Sequence, residues 1–172
     1  TKITNLIFDY ENLNLSSKSL EITKQKNNML NIKGDIENNK VALNPSLLFK
    51  LVNFNQDYLS EKNILLQTKN SFSFNLNSNY KIENLKVDSI IDFDEIYFNN
   101  NYQNIIYLKH GKIKSRYEKN KFFADLTSNF AFIDKKDSKS SFKNNILKLI
   151  LKKQNDKNIE IQGNIVNEKT LI

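Results

Sequence analysis

The chain has 172 residues, of which 39% are hydrophobic, and this length is sufficient for one domain with a sizeable core. It contains no cysteine, which excludes disulfides, thiolate metal sites and thiol catalysis. The net charge of +7 comes from 25 Lys and one Arg beside 29 Asn, a composition typical of an A+T-rich genome, whereas nucleic-acid recognition favours arginine; we therefore expect no nucleic-acid partner.

Apolar and polar residues alternate with a period of two along most of the chain, which predicts β-strands with one dry face. An early example is "LNIKGDI", residues 30 to 36, in which Gly34 shares a face with the Leu and both Ile. A glycine inside a strand marks a bend, a bulge or a close approach by another group. The polar "ENNK" and the apolar pair Val41 and Leu43 follow, and this order predicts a curved hairpin.

One segment departs from the alternation. After Asn44-Pro45, a helix-start signal, apolar residues recur at helical spacing from Leu47 to Leu59. This spacing predicts one short amphipathic helix near residues 46–60.

The central and C-terminal parts return to strand patterns in "SFSFNLNSNYKI", "FFADLTSNFAF" and "ILKLILK". The apolar face changes parity between Ile82 and Leu85 and again between Phe93 and Ile96, which predicts a turn or a β-bulge at each place. His110-Gly111 predicts a tight hairpin turn, and polar clusters such as "EKNK" predict further turns.

The opening phrase recurs near the C-terminus, where "EIQGNIVNEKTLI" aligns with "NIKGDIENNKVAL". Two isoleucines, the glycine and a lysine are identical at aligned positions. We interpret the repeat as a curved hairpin used twice, and a chance similarity between two hairpins is the alternative.

Residues that could carry chemistry are few. His110 is the only histidine, no G-x-S-x-G or glycine-rich phosphate loop is present, and we expect no enzymatic activity and no cofactor. Asp92 and Asp94 share a strand face, but they lack the spacing of a calcium loop and are more typical of a solvated acidic edge, so we expect no metal site. A loop of lysines could meet anionic headgroups or could simply aid solubility; it comprises Lys135, Lys136, Lys139 and Lys143.

The phrases "LNIKGDIENNKVAL" and "YKIENLKVDSIIDFDEIYF", together with the long run of strands and polar turns, resemble the bacterial AsmA-like proteins, the group that includes TamB and YhdP. The resemblance rests on residue classes over most of the chain. It implies a mainly β fold: a long, curved antiparallel sheet forming a repeating β-groove. It also implies an inner-membrane-anchored parent protein that projects through the periplasm of the Gram-negative envelope and moves phospholipid to the outer membrane.

No anchor is present in the chain, and its first residue is Thr, so we interpret residues 1–172 as a single β-rich segment from inside such a longer protein. The expected function is non-enzymatic: a hydrophobic groove holds the acyl chains of phospholipid or another acyl lipid. The expected lining residues come from the dry faces of the strands: Leu30, Ile32, Ile36, Phe72, Phe74, Leu76, Val87, Phe93, Leu126, Phe130, Phe132, Leu147, Leu149, Ile159 and Ile161.

Two alternatives stay open. One is a β-jellyroll component of lipopolysaccharide transport, in which similar strand phrases form a cupped sheet with edge strands for head-to-tail joining. The other is a structural or adhesive β domain, because an alternating apolar face is more often a packed core than a ligand surface.

Overall fold

The structure is a computed structural model that describes residues 1–10, 13–25, 28–44, 64–99, 104–134, 145–153 and 158–167. The described residues form nine β-strands and almost no helix. The strands are β1 (Lys2–Tyr10), β2 (Leu13–Lys24), β3 (Leu30–Leu43), β4 (Ile64–Leu76), β5 (Ile82–Asn99), β6 (Asn104–Glu118), β7 (Lys121–Asp134), β8 (Asn145–Lys153) and β9 (Ile159–Asn167).

All nine strands belong to one sheet whose spatial order is the order of the sequence, and every neighbouring pair is antiparallel. The predicted mainly β class and single antiparallel sheet are confirmed. The sheet is open and uncurled, with β1 and β9 at its two edges, so the strong wrapping implied by the resemblance is not seen in the described strands. Irregular pairings shift the register of single strands without rolling the sheet up. The helix predicted near residues 46–60 lies outside the described residues.

The repeated phrase forms strands, and its glycines are places of close approach, which is one of the three alternatives predicted for them. Gly34 pairs with Phe72, and a Cβ on Gly34 would come 3.1 Å from the Phe72 ring and 2.9 Å from the Ser19 carbonyl oxygen. Gly163 pairs with Leu149, whose Cδ2 lies 2.7 Å from the equivalent position. In both copies a large apolar side chain covers the glycine on the same face.

The predicted hairpin in the first copy is wrong. The "ENNK" segment lies inside β3, where the pairing with β4 shifts between Asn38 and Val41. One extra residue there moves Val41 and Leu43 onto the face that Ile36 occupies, so the polar cluster is a bulge in a continuous strand. The second half of the second copy lies outside the described residues.

The parity change between Ile82 and Leu85 is caused by a bulge within β5. Of the two predicted alternatives, a turn and a β-bulge, the bulge is correct. The register with β4 shifts there, and Asn84 has a φ of 53°. The predicted turn at His110-Gly111 is wrong: both residues lie inside β6, where the register with β7 shifts and His110 has a φ of 51°. The left-handed conformation of His110 belongs to a β-bulge and not to a turn.

The tight turn predicted in "EKNK" is present. Lys119 and Asn120 connect β6 to β7 as a two-residue loop, with φ values of 51° and 61°. Two positive φ values are the geometry of a type I′ hairpin turn, whose twist matches that of the flanking strands.

Candidate functional site on the apolar face

The predicted lining residues share one face of the sheet. In an antiparallel sheet, directly paired residues project to the same side, so the register can be followed from strand to strand. Leu30 pairs with Leu76 and Ile32 with Phe74, and further along the sheet Leu126 pairs with Leu149. Tracing these pairs from β3 to β9 places all 15 predicted positions on this side, which we call the apolar face; nothing is described of the Phe132 side chain.

One end of the apolar face is packed. Five buried residues form a cluster there: Leu43, Ile64, Leu66, Phe93 and Leu108. Leu126, Phe130 and Leu147 pack against this cluster, and Phe93 is only 4% exposed. These four predicted lining residues therefore belong to a hydrophobic core.

Next to this cluster, and sharing Leu43 and Leu66 with it, the apolar face forms an open depression of about 570 Å³ over β2 to β5. Its volume lies within the roughly 300–1,000 Å³ of small-molecule sites. Ile36, Phe72, Phe74 and Val87, all predicted, line it. The other lining residues are Leu15, Asn38, Leu43, Leu66, Thr68, Asn70, Ile82, Leu85 and Ile91. No charged residue is among them.

The strand β9 extends the apolar face to the edge of the sheet. Ile159 is 58% exposed and Ile161 is 64% exposed, and they pair with Lys153 and Leu151. No second layer of strands or helices covers this face within the described ranges.

Polar residues within the apolar face were not predicted. Asn38, 2% exposed, accepts hydrogen bonds at Oδ1 from the backbone N–H of Thr68 at 2.9 Å and from its hydroxyl at 2.5 Å. Its Nδ2 donates to the carbonyl oxygens of Asn39 and Leu66. Asn70 Nδ2 donates to the Ile36 carbonyl oxygen and the Thr68 hydroxyl, both at 3.1 Å. Asn38 thus satisfies backbone groups that the β3 bulge leaves out of the ladder.

The signal for these residues was in the alternation itself. Ile64, Leu66, Thr68 and Asn70 occupy every second position ahead of Phe72. The two polar members share the parity of the apolar ones, and the register places them on the same side.

The opposite face of the sheet carries ion pairs. Asp92 bonds Lys112 at 3.3 Å, and Asp94 bonds Lys40 of β3 at 2.5 Å. Both carboxylates predicted as a solvated acidic edge therefore have lysine partners. The only arginine, Arg116, donates to Asp88 at 2.5 Å, and this bond raises the pKa of the guanidinium. His110 is exposed beside this region.

A tyrosine pair on this face surrounds one carboxylate. Tyr97 and Tyr107 stack with ring centroids 4.6 Å apart, and their hydroxyls donate to Glu95 at 3.1 and 2.7 Å. Lys109 lies 3.4 Å from the same carboxylate. The pKa of Glu95 is lowered, chiefly by the Tyr107 hydrogen bond, and the pKa of Tyr107 is raised, first by burial and then by Glu95.

Other chemistry is sparse. Within the described ranges, no three His, Asp or Glu residues come together as a metal site, and no helix is long and apolar enough to cross a bilayer. The predicted lysine loop, with Lys135, Lys136, Lys139 and Lys143, lies outside the described residues.

Comparisons with protein-family models, with curated proteins and with solved structures found no match. The resemblance to AsmA-like proteins and the periplasmic location that it implies therefore stay predictions.

Proposed function

We propose that this chain is a non-enzymatic lipid-carrying segment of the cell envelope, which holds the acyl chains of phospholipid or another acyl lipid on its apolar face. The observation that carries the proposal is the open depression over β2 to β5, whose lining is uncharged and mostly Leu, Ile, Phe and Val. The sequence resemblance favours a role in lipid transport through the periplasm, between the inner and the outer membrane. The chain would perform this role as part of a longer, membrane-anchored protein.

The physics of such a carrier needs no catalytic group. Each CH₂ of an acyl chain that leaves water contributes roughly 0.8 kcal/mol. The sheet supplies apolar contacts on one side, while the headgroup stays in solvent. Because the apolar face continues past the depression to the exposed isoleucines of β9, an acyl chain has neighbouring apolar positions to occupy across several strands.

The two alternatives differ in what they require of this face. A structural or adhesive domain with a filled core is favoured by the buried cluster around Phe93 and disfavoured by the half-exposed residues that line the depression. A lipopolysaccharide-transport component shares the acyl-chain chemistry. It would use the edge strands β1 and β9 for joining to further sheets.

The test compares two isoleucines of β5 on opposite faces. Ile82 is 58% exposed in the depression, and Ile90 is 40% exposed on the ion-paired face. Ile82→Asp places a charge where acyl chains are proposed to lie, and Ile90→Asp is the matched control. We expect Ile82→Asp to weaken displacement of an apolar fluorescent dye by a short-chain phospholipid at least tenfold, with no change for Ile90→Asp.

Lipid extraction from the purified chain, followed by mass spectrometry, provides an independent measurement. Co-purified acyl lipid that is reduced in Ile82→Asp alone supports the proposal. If the folded wild-type chain carries no lipid and takes up no apolar dye, the alternative of a filled structural domain is correct.

A further inference from the structure

A row of uncharged polar side chains crosses the apolar face beside the depression. Asn70 of β4 pairs with Ser89 of β5, and Ser89 pairs with Ser115 of β6. We call these three residues the polar row. Asn70 lines the depression, and Ser89 lies between Val87 and Ile91, which also line it, so the row adjoins the depression.

The two hydroxyls are the available donors of the polar row. The Asn70 amide nitrogen already donates to the Ile36 carbonyl oxygen and the Thr68 hydroxyl. Ser89 and Ser115 are half-buried, and among the described residues neither hydroxyl is engaged in a hydrogen bond. A half-buried hydroxyl beside apolar side chains gains from a partner that a bound molecule brings.

The surroundings determine what kind of partner fits. On the apolar face, the residues of β4, β5 and β6 around the row are uncharged: Thr68, Phe72, Val87, Ile91, Ile113 and Tyr117. A carboxylate or phosphate would be desolvated there without a cation, whereas a neutral carbonyl oxygen can accept hydrogen bonds from both hydroxyls.

From this arrangement we propose that Ser89 and Ser115 bind the ester carbonyl of a neutral acyl ester whose hydrocarbon chain lies in the depression. This inference rests on the proposed acyl-lipid function and adds the chemical class of the ligand. It assigns the glycerol-ester part of the lipid to the middle of β5 and β6, so that the lipid binds in one orientation.

The experiment uses two probes that differ in the carbonyl alone: monolauroyl glycerol and its ether counterpart, dodecyl glycerol. Their affinities are measured by displacement of an apolar fluorescent dye from the wild-type chain. We expect the ester to bind at least about fivefold more tightly than the ether, because one additional hydrogen bond has about this effect and the carbonyl accepts two. Ser89→Ala/Ser115→Ala should remove this preference by weakening ester binding, with ether binding unchanged.

The matched control is Ser71→Ala/Ser73→Ala, because these serines lie on the opposite face, where they pair with Asp88 and Lys86. The control should keep the wild-type preference. Equal binding of ester and ether by the wild-type chain, or a preference that survives in Ser89→Ala/Ser115→Ala, would overturn the inference while leaving acyl binding intact. If neither probe displaces the dye, the proposed function fails together with it.

Discussion

Phe93 lies directly opposite Gly111, and its ring fills the space that a side chain on Gly111 would occupy. The same relationship recurs between Phe72 and Gly34 and between Leu149 and Gly163. All three glycines of the chain therefore lie under a large apolar residue of a neighbouring strand. None of them has a positive φ, so these positions require glycine for space and not for backbone conformation.

Gly111→Ala is expected to destabilise the fold by about 1–3 kcal/mol, because the ring of Phe93 is buried in the cluster and cannot move aside without overpacking it. Urea unfolding followed by circular dichroism measures the change. Gly163→Ala is the control: the obstructing atom is the flexible end of Leu149, beside the exposed strand β9, and the loss should be smaller. A Gly111→Ala variant as stable as the wild type would contradict this account of the glycines.

Asn38→Ala should lower the free energy of unfolding by about 1–3 kcal/mol, because it leaves the backbone N–H of Thr68 without its acceptor, the buried Asn38 side chain. Asn31→Ala is the matched control, because Asn31 bonds Asn75 at 2.9 Å on the opposite, more exposed face. Asn31→Ala should lower the free energy of unfolding by about 0.5 kcal/mol or less. Equal losses for the two variants would show that Asn38 has no special part in satisfying the β3 bulge.

Lowering the pH should reduce the stability of the fold through protonation of Glu95. Its pKa is lowered in the fold below the ordinary value of 4.5, so the folded state favours the ionised carboxylate. This contribution is complete above the ordinary pKa and is lost as the pH falls through the lowered one. We expect the urea midpoint of the wild type to fall across this acid range, and the fall to be smaller in Glu95→Gln.

Tyr107→Phe removes the hydrogen bond that is the main cause of this shift, so it should also reduce the acid dependence. Tyr117→Phe is its control, because the Tyr117 hydroxyl bonds the exposed Asn120 instead. An acid dependence that is identical in the wild type and in Tyr107→Phe would contradict the assignment.

The turn between β6 and β7 can be improved. Replacing Lys119 and Asn120 by Asn and Gly places the residues preferred in a type I′ turn at two positions of positive φ. The double variant should gain about 1 kcal/mol in its free energy of unfolding. Lys119→Pro, whose ring fixes a negative φ, should instead lose stability. If the Asn-Gly variant is no more stable than the wild type, the turn does not carry the strain that its φ values indicate.

Much of the fold could be predicted because alternation reports directly which side of a strand is dry. The register places Leu147, Leu149 and Leu151 together on one face and their Lys neighbours on the other, as the sequence indicated. The positions of the turns and bulges could be predicted less accurately. A polar segment between apolar residues fits a turn and a bulge equally, so "EKNK" was correctly predicted as a turn, whereas "ENNK" and His110-Gly111 were wrongly predicted as turns.

The candidate site could be predicted only in part. Alternation identified the apolar face, but it does not say which of its residues another side chain covers. Phe72 and Phe93 are both apolar residues of alternating strand segments, yet Phe93 is in the packed cluster and Phe72 lines the depression. Ser89 and Ser115 become neighbours only through the register of β5 with β6, which no local pattern encodes.

Two consecutive isoleucines of β5 give the most direct test that the apolar face is open and receives acyl chains. Ile91 lines the depression, whereas Ile90 projects from the opposite face. Because the chain has no cysteine, Ile91→Cys and Ile90→Cys each introduce one unique thiol. The measurement is the rate at which a small water-soluble maleimide modifies each thiol, with and without a short-chain phospholipid.

The account predicts that both thiols react without lipid, and that lipid slows the reaction at position 91 at least severalfold while leaving position 90 unchanged. A thiol at position 91 that is unreactive in the folded, lipid-free chain would show a sealed interior in place of an open face. A thiol that reacts there at the same rate with and without lipid would equally contradict the account.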